Sequence, residues 1–141
     1  MSYLLDTCVL SEIVKPRPNA AVVHWVGSVD EERLYLSVIT LGEIQKGITQ
    51  LRDQDRRQGL AAWLSELADR FRPRLLPLDA EVLLTWGRIT GAASTKGITL
   101  PTVDSLIAAT AQVHQLTVVT RNVTDLERSG ASVLNPWALS R

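Results

Sequence analysis

The sequence predicts an α/β fold built on a central parallel sheet. Two observations predict it: short apolar runs rich in β-branched residues alternate with segments of helical periodicity, and the early runs pass directly into helices through polar residues. Strands alternating with helices imply βα units and hence parallel neighbours. At 141 residues, one domain over 1–141 is expected, since a chain of that size buries roughly 70% of its unfolded surface.

Each element follows from local chemistry. Ser2-Tyr3-Leu4-Leu5 is a buried strand that feeds a helix through Asp6-Thr7, with Val9, Leu10, Ile13 and Val14 on its apolar side. Lys15-Pro16-Arg17-Pro18 stops that helix. Asn19 has the side chain of a good N-cap for the next, whose Val22, Val23, Trp25 and Val26 run up to Gly27. A strand is expected over Leu34–Ile39, passing into a helix at Thr40-Leu41-Gly42-Glu43, a stretch with capping-box spacing. Helical periodicity then extends to about Arg72, as a hairpin of two helices or one long helix broken near Gly59. Arg74–Leu78 is a short strand or extended link, and Asp79 opens a helix carrying Val82, Leu83, Trp86 and Ile89. Thr95-Lys96-Gly97 makes the following loop, and Pro101 starts the next helix. Leu116–Thr120 is the clearest strand, and Ala131–Leu134 is the last.

Composition narrows function without choosing it. Lys plus Arg equals Asp plus Glu at 15 each, so nucleic-acid binding would have to come from local patches or a bound metal. No apolar segment approaches the ~20 residues that cross a bilayer. Cys8 is the sole cysteine; it is expected to be a small core residue, and a reducing cytoplasm the natural location. Trp25, Trp63, Trp86 and Trp137 are expected in the core or an interface, and His24 and His114 on helices away from any site.

The acids carry the functional signal. In an open parallel sheet, ligands bind beyond the carboxyl ends of the strands. Asp6, Glu43 and the stretch Arg121-Asn122-Val123-Thr124-Asp125 each follow an expected strand, and Asp104 sits at a helix start that can point back to the same rim. Taken singly, each acid is a fair helix cap. Gathered together they repel unless a cation neutralises them. Hard oxygen donors suit Mg²⁺, with Mn²⁺ the alternative, and no His/Cys cluster exists to hold zinc. Carboxylate-held divalent ions cut phosphodiesters without a protein nucleophile.

Four segments then resemble one family: Tyr3-Leu4-Leu5-Asp6-Thr7; Thr40-Leu41-Gly42-Glu43-Ile44 with Gly47-Ile48; Pro101 through Ala109; and Val119 through Leu126. In this order they resemble the PIN-domain ribonucleases, in particular the VapC and FitB-like toxins of type II toxin–antitoxin pairs. The resemblance covers the whole chain, including the closing Val133-Leu134-Asn135-Pro136-Trp137. It implies a PIN-like three-layer α/β/α fold with four to five parallel strands and a helical hairpin insertion. It also implies a metal-dependent endoribonuclease with Asp6, Glu43 and Asp104 as catalytic acids, Asp6 and Asp104 holding the metal, and Asp125 a candidate fourth. Many relatives carry an aspartate where this chain has Asn122, so either Asn122 or Asp125 completes the set. Thr7 and Thr120 are expected to orient the acids. An RNA substrate, a homodimer, and a small antitoxin that binds operator DNA are further expectations. Lys15, Arg17, Lys46, Lys96 and Arg121 are candidates for the phosphate backbone.

Two other readings compete. A receiver-like phosphoacceptor domain predicts paired acids after the first strand and a late lysine; Asp6-Thr7 and Arg121 stand there instead. An inactive PIN-like binding module predicts a fold without turnover, and the three acids argue against it.

Overall fold

Strand β1 (Tyr3–Leu5) shows how the sheet divides the molecule. Successive strand side chains point to opposite faces, so Leu4 enters one apolar cluster and Leu5 the other, both almost fully buried. Val118 and Val119 of β4 (Thr117–Val119) repeat the division. Burying a leucine or valine side chain contributes roughly 1.5–3 kcal/mol, which is why the central strands are apolar on both faces. The fold is thus a helix layer, a sheet and a second helix layer. It was obtained as a computed structural model that describes residues 1–139; the last two residues of the 1–141 unit expected from the sequence lie outside the described residues.

One layer is formed by α1 (Thr7–Ile13), α2 (Ala20–Ser28), α3 (Val38–Thr49) and α4 (Gln54–Arg70), which pack Val9, Trp25, Ile44 and Leu67 against Leu5, Leu36 and Val119. The opposite layer holds α5 (Ala80–Thr95), α6 (Thr102–His114) and α7 (Val123–Arg128), with Ile107, Ala108 and Leu126 against Leu4 and Val118. Between them lie β1, β2 (Leu34–Ser37), β3 (Leu75–Leu76), β4 and β5 (Val133–Leu134), all parallel, in the order β3-β2-β1-β4-β5. The chain winds outward from β1 on one side and from β4 on the other. The crevice beyond their carboxyl ends is therefore the topological switch point, where open α/β sheets bind ligands. Among the described residues, no helix is long and apolar enough to cross a membrane.

Asn19 and Asp79 cap α2 and α5 with their side-chain oxygens. Three boundaries differ from the sequence expectation. Strand β2 stops at Ser37, whose Oγ accepts the Ile39 N–H at 3.1 Å, so α3 begins at Val38 and Glu43 lies inside the helix, not in a capping box. The β-branched pair Val38-Ile39 extends the strand-like pattern past the true cap. Next, the α3–α4 hairpin turns at residues 50–53, where the Asp53 carboxylate caps α4, and Gly59 sits within that helix. Finally, Val123–Arg128 forms a short helix where the sequence showed only a polar stretch after a strand.

Candidate active site

Asp6 leaves β1 in extended conformation, and both its carboxylate oxygens are committed. Oδ1 accepts the Thr7 N–H at 2.9 Å and Oδ2 accepts the Thr120 hydroxyl at 2.8 Å. The Asp6 carboxylate can only accept, so the Thr120 hydroxyl donates its single proton there while its oxygen accepts the Asn122 N–H at 2.9 Å. Parallel pairing of Leu5 with Val119 brings these two strand ends side by side, although they lie 114 positions apart.

Two further acids enter from helices. Glu43, one turn into α3, accepts the Thr7 hydroxyl on Oε1 at 2.5 Å. Asp104, in the first turn of α6, accepts the Asn122 side-chain amide on Oδ2 at 2.9 Å. Asp6, Glu43 and Asp104, with Thr7, Cys8, Arg121 and Asn122, line one cleft of about 480 Å³. Asp125, in the first turn of α7, is half-buried and outside that lining, yet its charge reaches Asp104.

The cleft holds more negative charge than it neutralises. Burial first, then repulsion from Asp6 and Asp125, raises the Asp104 carboxyl above the usual carboxylate range; the Asn122 amide opposes the shift, and Glu43 adds to it. Among the described residues, none of these acids forms an ion pair within 4.0 Å. All donors are oxygens, and among the described residues no three acid, histidine or cysteine side chains close on a single point. An all-oxygen donor set with no histidine or thiolate cluster suits a hard divalent cation such as Mg²⁺ or Mn²⁺, which keeps several of its own waters, better than zinc.

Cys8 meets the core expectation in part. It is half-buried and packs against the apolar cluster that holds Leu5 and Val9, and it also lines the cleft wall, where its Sγ accepts the Arg121 N–H at 3.5 Å. Burial is the main cause that pushes its thiol up, with Asp6 adding to it, so it is a neutral neighbour of the acids at pH 7. Of the five basic candidates, Arg121 alone lines the acid cleft. Lys15 pairs with Glu12 at 2.9 Å, and Lys96 lies at the far end of α5 beside Gln112 and Arg128.

This arrangement of a switch-point cleft and converging acids can be set against known proteins. The family profile described as PIN domain matches residues 3–128. The chain belongs to the PIN-domain family. With that, the receiver-like reading falls. This PIN domain is 38% identical over 135 residues to Toxin FitB of Neisseria gonorrhoeae, covering 95% of this chain and 97% of the relative. It is 34% identical to VapC ribonuclease Y4jK of Sinorhizobium fredii, covering 95% of this chain and 96% of the relative. Among solved structures, FitAB bound to an IR36 DNA fragment superposes with a TM-score of 0.90 at 36% identity, over 99% of this chain and 98% of the other.

The roles of two residues of this PIN domain escaped the sequence reading, although Trp137 packs against the apolar core as expected. Glu12, 6% exposed on α1, accepts from Lys15 Nζ and from the Asn19 N–H, each at 2.9 Å, joining the end of α1 to the cap of α2. Trp137, in the turn Pro136–Ala138, carries the Arg121 guanidinium 5.3 Å above its ring. Glu12 looks like an ordinary surface glutamate in a helical pattern, and no local signal marks Trp137 as a neighbour of the cleft.

Proposed function

We propose that this chain is the toxin of a type II toxin–antitoxin pair, an Mg²⁺-dependent endoribonuclease that hydrolyses RNA phosphodiester bonds in the cytoplasm. The observation that carries the proposal is the meeting of Asp6, Glu43 and Asp104 in one cleft at the switch point, each held by a named donor. Its likeness to Toxin FitB and to VapC ribonuclease Y4jK supports the same reading.

In this proposal Asp6 and Asp104 would hold the cation and Glu43 handles the proton. When bound, the ion would supply Lewis-acid polarisation of the phosphate and activation of water. Thr120 and the Thr7 N–H keep both Asp6 oxygens oriented, so the carboxylate does not reorganise as substrate enters. The Asn122 amide does the same for one oxygen of Asp104 and leaves the other free. Glu43, steadied by the Thr7 hydroxyl, accepts the proton released when water adds to phosphorus. The bond from phosphorus to the 3′-oxygen then breaks, and that oxygen takes up a proton from solvent water, leaving a 3′-hydroxyl and a 5′-phosphate. Asp125 acts through its charge on Asp104.

The proposal extends to partners. A homodimer and a small antitoxin that carries operator-DNA binding agree with the family, and the DNA-bound FitAB structure supports such an assembly. A structured RNA such as a transfer RNA is the proposed substrate.

Expression of the chain alone, with and without Asp104→Asn, tests this. Growth arrest and accumulation of RNA fragments with 5′-phosphate ends are expected for the parent only, read by sequencing the ends. Cleavage by the Asp104→Asn protein at the parental rate would remove the site assignment.

A further inference from the structure

Arg121 stands in a cleft with three carboxylates and pairs with none of them. Among the described residues its guanidinium makes no ion pair within 4.0 Å and no side-chain hydrogen bond. It lies instead 5.3 Å above the Trp137 ring. An arginine beside unpaired acids would ordinarily fold onto one, because a charge-assisted bidentate bond is among the stronger contacts available to it. A stack on an aromatic face satisfies the flat side of the guanidinium and leaves its edge N–H donors uncommitted.

Both ends of this contact are fixed. On the arginine side, the backbone between β4 and α7 is pinned by the Arg121 N–H to Cys8 Sγ and by the Asn122 N–H to Thr120 Oγ1, the same bonds that bound the acid cleft. On the tryptophan side, the Trp137 N–H donates to Asn135 Oδ1 at 3.0 Å, Pro136 is buried, and the ring packs against the apolar cluster under α1 and α2. The ring is a rigid platform, so the guanidinium is held in the cleft with its donors ready.

We propose that Arg121 is the residue that binds the RNA phosphate in this cleft, and that Trp137 is a positioning residue that keeps its guanidinium stacked and free of the neighbouring carboxylates. The proposal rests on the ribonuclease reading above and deepens it. It differs from a role in which Arg121 merely offsets the charge of the acids: loss of a phosphate contact weakens RNA binding, whereas loss of a neutralising charge changes how tightly the acids hold a cation.

The test uses the full chain with Mg²⁺ and bulk transfer RNA. For Arg121→Gln, KM is expected to rise about tenfold with a smaller change in kcat, the scale of one charge-assisted hydrogen bond. Trp137→Leu is expected to raise KM about threefold, as loss of a cation–π contact does. Trp137→Phe should recover most of that loss, and Trp137→Leu should add little in the Arg121→Gln background. Circular dichroism and the melting temperature report whether Trp137→Leu folds, and the exposed Arg121→Gln substitution keeps the test decisive if it does not. Anisotropy of a fluorescein-labelled RNA oligonucleotide on the Asp104→Asn protein measures binding without turnover. There Arg121→Gln should lower the slope of log affinity against log salt by about 0.7, one single-strand phosphate. An unchanged KM and slope, or a shift in the Mg²⁺ midpoint with KM intact, overturns the proposal. Absence of cleavage by the parent defeats the ribonuclease reading separately, and the anisotropy series still decides the role of Arg121.

Discussion

Thr7 Oγ1 donates to Glu43 Oε1 at 2.5 Å, joining the start of α1 to the interior of α3 across 36 positions of sequence. The bond orients an acid that would otherwise be free to rotate on a helix face. Thr7→Val removes the donor at nearly constant volume, and single-turnover RNA cleavage is expected to slow about tenfold, in keeping with loss of a hydrogen bond to a charged group. Thr7→Ser retains a hydroxyl and should stay near the parental rate. Equal rates for Thr7→Val and the parent would show that Glu43 needs no such support.

Asp104 sets function against stability. Its carboxyl takes up a proton more readily in the fold than in the unfolded chain, because burial and the neighbouring acids disfavour its charge. A raised carboxyl binds more protons in the native state, so its penalty is present at neutral pH and fades as pH falls through the folded value. Without divalent metal, Asp104→Asn is therefore expected to melt slightly above the parent at pH 7, by an amount that solvent screening at this partly exposed site keeps small. The gap should close toward pH 4, as differential scanning calorimetry across pH would show.

Divalent metal should reverse that order. A ligand that binds only the native state stabilises it by mass action, about 2.7 kcal/mol at a hundredfold excess over Kd. Mg²⁺ or Mn²⁺ is expected to raise the melting temperature of the parent, and Asp6→Asn or Asp104→Asn should lose most of the rise. An equal rise in all three proteins would place the ion elsewhere.

Asn122 and Asp125 are separable. Asn122 touches Asp104 at 2.9 Å and lines the cleft, whereas Asp125 acts on Asp104 through charge from outside the lining. Asn122→Ala is expected to reduce kcat more than Asp125→Asn does. The opposite ranking, measured under saturating Mg²⁺, would assign the fourth position to Asp125.

Glu12 is expected to contribute to acid stability. Its carboxyl is held below the usual range, first by the bond from Lys15 and then by the Asn19 N–H. A depressed carboxyl stabilises the fold above its unfolded value, about 4.3, and loses that contribution as pH falls through the folded value. Glu12→Gln is expected to lower the denaturant midpoint at pH 7 and to match the parent in strong acid. Identical midpoints at pH 7 would show that the bonds of Glu12 to Lys15 and Asn19 carry no net stability.

Local chemistry determined what the sequence could say. Apolar runs such as Tyr3–Leu5 and Thr117–Val119 announce buried strands, and Asn19 and Asp79 announce helix starts, because period and capping act over a few neighbouring residues. The acids after those runs were visible for the same reason, since the end of a strand is a local event. Where two local signals compete, the reading slips: Val38-Ile39 reads as strand although Ser37 caps a helix there, and the polar run before Gly59 hides the Asp53 cap. Only the tertiary structure decided which groups meet. Thr7 with Glu43, Thr120 with Asp6, Asn122 with Asp104 and Arg121 with Trp137 are brought together by the pairing of β1 with β4 and by helix packing on the sheet. A contact between residues 114 positions apart leaves no trace in either one's neighbours, because it depends on the register of the whole sheet.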